Sequence, residues 1–216
     1  NITENALPRL DEALIARSGV EVRLYEPKAL DAMVGAEAVH QGVILDCEPL
    51  DGIDASELFH LADKKLVLAL DQITDPHNVG AILRSGVAFG VAAVLVTKRN
   101  SAVETAVLAK SASGALDMVP MIEVRNLTKA LSELADMGFA TIGLDSEGPL
   151  VLEDTIAKTE GRPVALVLGS EGKGLRHQTR ETCTHLARLD MPGTIKSLNV
   201  SNAAALSLYV ATKNHT

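Results

Sequence analysis

From Lys65 onward the chain alternates short unbroken apolar runs with stretches whose apolar residues recur every three or four positions. The runs predict strands at 65–71, 92–97, 119–124, 139–144 and 164–168; the intervening periodicity predicts helices at 78–89, 103–112, 126–137, 174–183 and 199–212. Runs such as Leu66-Val-Leu-Ala-Leu and Val164-Ala-Leu-Val-Leu have no polar face, as expected of strands covered on both sides. Together these patterns predict an α/β fold with a mostly parallel sheet and helices on both faces. Such sheets place ligands beyond the carboxyl ends of their strands, which here carry Asp71, Gly169 to Glu171 and the loop after Leu189. The last helix, with Ala203 to Ala205, Leu206, Leu208 and Val210, is apolar nearly all round, which predicts burial in the core or between subunits.

The first third is less regular. Helical periodicity over 6–17 stops at Gly19, 21–25 alternates as a short strand, Pro27 opens a helix ending near Gly35, and 39–45 reads as another strand. Residues 1–47 are expected to be part of a small α/β module. Residues 48–64, rich in Asp, Glu and Gly, read as a linker, and 65–216 as the main domain. Asn1 stands where an initiator Met would, so residues are expected to precede it.

Charge sharpens that division. Residues 1–64 hold 13 acids and 5 bases and the remainder 15 of each, so the whole net charge of −8 sits in the first third. An acidic chain argues against indiscriminate nucleic-acid binding while allowing a local basic groove on the neutral part. Aromatic residues are 2% of the chain, which argues against platforms that stack bases. Neither a membrane-length apolar run nor a basic-then-apolar leader is present, so the protein is expected to be cytoplasmic. Cys47 and Cys183 show no metal or redox spacing, and no metal is expected.

Three blocks concentrate candidate chemistry. In Asp75-Pro-His77-Asn78-Val-Gly80, followed by Leu83-Arg84-Ser85, Asn78 has the residue type of a helix N-cap and Gly80 permits a close approach. Asn78 and Arg84 lie six apart, so they are either a cap with a solvated arginine or two groups reaching one site from the helix mouth. Leu168-Gly169-Ser170-Glu171-Gly172-Lys173-Gly174 is either a plain strand-to-helix turn or a loop offering backbone N–H groups to a ligand, with Glu171 as its acid. It lacks the order of a Walker loop or a nucleophile elbow, and no Gly-x-Gly-x-x-Gly follows the first strand. In Met191-Pro-Gly-Thr-Ile-Lys196-Ser197-Leu198-Asn199-Val-Ser201, Ser197 or Asn199 would cap the last helix, which accounts for only one of the polar residues there. Basic residues Lys173, Arg176, His177, Arg180, Arg188 and Lys196 gather around these blocks in sequence, with Lys98 and Arg99 after the second strand.

Taken together, the blocks closely resemble the three motifs of the SpoU (TrmH-type) RNA 2′-O-ribose methyltransferases, over roughly residues 65–212. Val39-His40-Gln41-Gly42-Val43 is similar to the end of the small RNA-binding domain in the 23S rRNA guanosine branch, and the chain ends soon after its last helix. The resemblance implies a C-terminal deep trefoil knot, S-adenosylmethionine held by knotted loops, and a homodimer. It implies cofactor contacts from Leu168, Gly169, Ser170, Gly172, Leu189, Met191, Ser197 and Leu198. It further implies a catalytic set of Asn78, Arg84, Glu171, Ser197 and Asn199, and RNA contacts from His77, Arg84, Lys173, Arg176, Arg180 and Lys196. The expected activity is methylation of a guanosine ribose 2′-hydroxyl in 23S rRNA, the alternatives being a tRNA ribose methyltransferase or a non-catalytic RNA-binding assembly factor. One position departs from the family, which usually has Pro where this chain has Asp190.

Overall fold

A computed structural model describes residues 1–35, 38–48, 53–54, 60–61, 63–97 and 106–213. Lys98, Arg99 and positions 103–105 of an expected helix lie outside the described residues. The chain divides into two compact units, Asn1–Leu50 and Asp51–Thr216.

In the first unit a 3-10 turn (Leu7–Arg9) precedes helices α1 (Glu12–Ser18) and α2 (Pro27–Val34). The strands expected at 21–25 and 39–45 are single bridges instead: Ile2 pairs parallel with Leu24 and antiparallel with Val43. Asp11 caps α1 by accepting from the Ala13 and Leu14 N–H groups, and Gly19 ends it in the left-handed region. The core of this unit is small, centred on Ile2, Ala6 and Leu30.

The second unit is built on an eight-stranded sheet whose pairings are all parallel, in the order β1-β4-β3-β2-β7-β5-β8-β6. Its strands are β1 (Ile53–Asp54), β2 (Leu66–Asp71), β3 (Val94–Thr97), β4 (Met121–Val124), β5 (Ala140–Leu144), β6 (Leu150–Val151), β7 (Val164–Gly169) and β8 (His185–Arg188). The helices are α3 (Pro76–Ala88), α4 (Ala106–Ala112), α5 (Leu127–Asp136), α6 (Leu152–Ala157), α7 (His177–Thr182) and α8 (Val200–Lys213). Alternate strand residues feed two cores. Leu66, Leu68, Leu70, Val164, Leu166 and Leu168 meet α3, α4, α6 and α8 on one face. Val67, Ala69, Ala165 and Val167 meet α5 and Leu175 on the other. Burying a leucine fully contributes about 1.5–3 kcal/mol, so this central pair of strands anchors both layers.

Two features position the site. The connection after β2 leads outward to β3 and the one after β7 outward to β8, so the chain changes direction between neighbouring strands β2 and β7. That switch point opens a crevice at their carboxyl ends. The second feature is a crossing. Leu144 at the end of β5 and Leu150 at the start of β6 both pair with Ala187 of β8, so the connector 145–149 must pass over β8. Gly148 makes that passage: a Cβ there would stand 2.8 Å from the Ala187 carbonyl carbon. The Asp145 N–H donates to the Ala187 carbonyl at 2.9 Å, and Arg188 Nη1 to the Gly148 carbonyl at 2.8 Å.

Part of the expected linker, Ile53–Asp54, adds an edge strand beside β4. Among the described residues no helix is long and apolar enough to cross a membrane.

Candidate functional site

Chain reversal after β2 begins at Gln72, whose φ of +60° lies in the left-handed region that a non-glycine residue seldom occupies. Asp75 then caps α3, its Oδ1 accepting the His77 N–H at 3.0 Å, with Pro76 in the first turn. Asn78, expected as a possible cap, is therefore free for other work, and it is buried. Gly80, one turn into the helix, lets α4 approach: a Cβ at this position would lie 2.5 Å from Ser111 Cβ and 2.7 Å from the Ala112 nitrogen.

Beyond β7 the chain doubles back. Ser170 and Gly174 form an antiparallel bridge, with the Gly174 N–H donating to the Ser170 carbonyl at 2.8 Å. Gly169 closes the fold, since a Cβ there would stand 2.2 Å from the Gly174 carbonyl carbon. Gly172 and Gly174 adopt φ of +75° and +64°, conformations that cost glycine little.

The three blocks meet at the switch point. Asn78 Nδ2 donates to Asp75 Oδ2 at 3.1 Å and to Glu171 Oε1 at 3.2 Å. Asn199 Nδ2 donates to Asn78 Oδ1 at 3.0 Å and to the same Glu171 oxygen at 2.5 Å. The Asn199 carbonyl oxygen in turn accepts the Ser201 N–H at 2.9 Å and the Ser201 hydroxyl at 2.6 Å. A backbone N–H can only donate, so this oxygen must face Ser201, and the amide nitrogens of Asn199 and then Asn78 are oriented in sequence. The result is a carboxylate with two N–H donors on one oxygen and no hydrogen bond to the other among the described residues.

Other expected residues fall into distinct environments. Arg84 is exposed on α3, six residues from Asn78, and forms no hydrogen bond or ion pair among the described residues. Ser197 and Leu198 are exposed on the loop into α8, while Leu189 packs against the core and Met191 is half-buried. Leu168 is buried at the end of β7. Lys196 donates to the Met191 carbonyl, bracing that loop across its own width. His77 Nδ1 lies 3.1 Å from Ser111 Oγ, and Lys173 is exposed. Two other expected RNA contacts are paired with carboxylates while staying partly exposed: Arg176, 43% exposed, binds the buried Asp71, and Arg180, 40% exposed, forms an ion pair with Asp145. The departure at Asp190 leaves an exposed carboxylate 4.0 Å from Arg188 Nε.

The sequence reading missed Asp75 as the second carboxylate on Asn78 and Ser201 as the group that orients both amides, although their offsets of three and two residues are those of local capping bonds and could have signalled them. Among the described residues no cluster of His, Cys, Asp and Glu could hold a metal ion.

Residues 65–209 match the family model described as the SpoU rRNA Methylase family. The chain is 39% identical over 195 residues to the 23S rRNA (guanosine-2′-O-)-methyltransferase RlmB of Coxiella burnetii, covering 88% of this chain and 76% of that protein. To the protein of the same name from Xylella fastidiosa it is 42% identical over 204 residues, covering 93% and 80%. The fold is shared with the SpoU methyltransferase AviRb of Streptomyces viridochromogenes, solved with AdoMet (TM-score 0.73, 23% identity, 98% of this chain and 81% of that one). It is also shared with the A. aeolicus TrmH/SpoU tRNA modifying enzyme (TM-score 0.62, 24% identity, 74% and 81%). The three blocks that the fold brings together at the β2–β7 crevice are thus those of a chain that belongs to the SpoU rRNA methylase family.

Proposed function

We propose that this chain is an S-adenosylmethionine-dependent methyltransferase that modifies the ribose 2′-hydroxyl of a guanosine in 23S rRNA. The curated relatives of that name support the reaction and the substrate class. The observation that carries it here is the Asn78–Glu171–Asn199 cluster, which joins residues 121 positions apart in one oriented network at the sheet's ligand-binding edge.

The loops fit the cofactor. Around Gly172, Gly174 and Gly193 nothing lies within 4 Å of where a Cβ would stand, so bare backbone faces open space. Leu189, Met191 and Leu198 offer apolar surface for a purine, and the Glu171 oxygen that accepts no hydrogen bond among the described residues suits a cationic ligand. Leu168, Gly169, Ser170, Gly172, Leu189, Met191, Ser197 and Leu198 would hold the cofactor, which when bound supplies an electrophilic methyl group. Asn78 and Asn199 hold Glu171 in place through two N–H donors on one of its oxygens. Arg84, exposed and without a partner among the described residues, would face the RNA. A guanidinium offers five N–H donors and no acceptor, so it acts by orienting phosphate and stabilising negative charge that develops on the ribose oxygen. A phosphate oxygen or a relay takes the proton.

His77, Lys173 and Lys196 extend the RNA-facing surface. Residues 1–47 would serve as part of an RNA-binding module, and a 23S rRNA substrate supports a cytoplasmic location. The passage of β8 beneath the 145–149 connector supports a knotted C-terminal end, a topology that general folding rules would not anticipate. Exposed Leu206 and Tyr209 lie three apart on α8 and support a homodimer through that helix.

The test is transfer of tritium from labelled S-adenosylmethionine into rRNA and tRNA offered separately. Label in 23S rRNA is expected; label in tRNA alone would move the assignment to the tRNA enzymes, and label in neither, despite cofactor binding, would favour an assembly factor.

A further inference from the structure

Asp71, the last residue of β2, takes no part in the hydrogen bonds of the cluster, yet its side chain is completely buried. Its backbone is in register with Gly169, where the glycine loop begins. Its two carboxylate oxygens both go to Arg176, where the loop ends: Oδ2 accepts the backbone N–H at 2.9 Å and Oδ1 accepts Nε at 2.6 Å. One residue therefore ties both ends of the 169–176 loop. Between those ends the backbone closes on itself at Gly169 and Gly174, and Leu175 drives its side chain into the core beside Gly143.

An apolar pair could hold a loop shut with less desolvation than a buried carboxylate and a guanidinium. What the ion pair adds is direction, because a carboxylate satisfied by a backbone N–H and a side-chain N–H of the same residue fixes where that residue lies and how it is turned. The surroundings are apolar enough for the charge to be felt nearby. Burial, and after it the Asp71 carboxylate, push the neighbouring Cys183 thiol up to about 12.

We propose that Asp71 is a positioning residue for the cofactor loop, acting through Arg176 to hold residues 169–176 in the shape that presents Ser170 to Gly172 to S-adenosylmethionine. This rests on the reading of that loop as a cofactor loop. It also reassigns Arg176 from an RNA contact to the loop's inner fastening.

The experiment compares full-length wild type, Asp71→Asn and the double variant Asp71→Asn/Arg176→Gln. Asp71→Asn keeps an acceptor for the Arg176 N–H and removes the charge; the double variant restores a neutral pair. Calorimetric titration with S-adenosylmethionine should give a Kd raised about tenfold or more in Asp71→Asn, with turnover at saturating cofactor within about threefold of wild type. The double variant should recover most of the affinity, as coupled partners do. In ligand-free protein, amide exchange over 170–175 should accelerate in Asp71→Asn and slow again in the double variant, while β2 and β7 stay protected. Wild-type affinity in a folded Asp71→Asn overturns the proposal. So does a loss of turnover at saturation that matches the loss of affinity, without recovery in the double variant, because that pattern marks a merely structural role. If Asp71→Asn does not fold, the double variant decides alone: a folded double variant that fails to bind cofactor overturns the proposal. A wild-type protein that takes up no S-adenosylmethionine while its loop exchange still responds to Asp71→Asn overturns the cofactor reading, and the role of Asp71 with it.

Discussion

Ser201 donates both its backbone N–H and its hydroxyl to the Asn199 carbonyl oxygen, and the consequence runs through two amides to Glu171. Asn199 thereby caps α8 with its oxygen and addresses the site with its nitrogen. Asp is as good a cap as Asn, so Asn199→Asp keeps the helix start but sets a carboxylate oxygen where Nδ2 now lies, 2.5 Å from Glu171 Oε1. We expect methyl transfer to fall about 100-fold or more, the scale of losing an oriented donor. Initial rates and a melting curve shifted by only a few degrees would show that together; retained activity would remove Asn199 from the site. For Arg84, the planar fork is the tested property: Arg84→Lys should lose about 100-fold in turnover with cofactor affinity unchanged. Near-normal turnover of that variant would rule out a bidentate role. Cys183 gives a chemical check on the buried surroundings of Asp71. With its thiol pushed up to about 12 it stays neutral at pH 8, whereas Cys47 is exposed. Iodoacetamide at pH 8 should label Cys47 and spare Cys183 in the native protein, because the thiolate is the reacting form. Labelling of both at equal rates would contradict that burial.

Glycines govern how closely elements approach. At Gly80 any side chain would press on the α4 backbone at Ala112, so Gly80→Ala should cost about 1–3 kcal/mol, read from urea denaturation, by forcing α3 and α4 apart. A cost within error would mean that α4 yields freely. Strands that are fully buried were legible in sequence to within about two residues, because an unbroken apolar run is the signature of a strand covered on both faces. β8 escaped notice: His185-Leu-Ala-Arg188 is half polar, and its pairing partners β5 and β6 both precede it in sequence. β6 and α6 escaped because two strand residues and six helical ones carry too little periodicity to detect. At 21–25 and 39–45 alternation suggested strands, yet each meets only the short segment Asn1–Thr3 and makes a single bridge, to Ile2. The sequence singled out Asn78, Glu171 and Asn199 as candidates, and only the fold brings the three together. Motif spacing could not reveal that Arg176 and Arg180 turn toward Asp71 and Asp145, since those contacts arise only when β2, β5 and α7 are assembled.

At the scale of the molecule, the crevice exists because the chain reverses direction between β2 and β7, and it is furnished by the loops after those strands and after β8. Helix α8 contributes twice. Ala204, Leu208 and Ala211 enter the core, while Leu206 and Tyr209 remain about half exposed, Tyr209 edge-on to Phe89. Two large apolar side chains on the exposed stripe of this helix, between Asn202 and Lys213, suit a second copy of the chain. Leu206→Glu combined with Tyr209→Glu should therefore convert a dimeric mass to a monomeric one in light scattering, with the helical signal kept. A wild type already monomeric at micromolar concentration would contradict the dimer. The central claim, that the three converging blocks form a ribose methyl-transfer site, is tested most directly by nucleoside mass spectrometry of 23S rRNA incubated with the protein and isotopically labelled S-adenosylmethionine. The account predicts label in 2′-O-methylguanosine, present with wild type and lost with Asn199→Asp. Label on a base, or undiminished ribose label with Asn199→Asp, would contradict it.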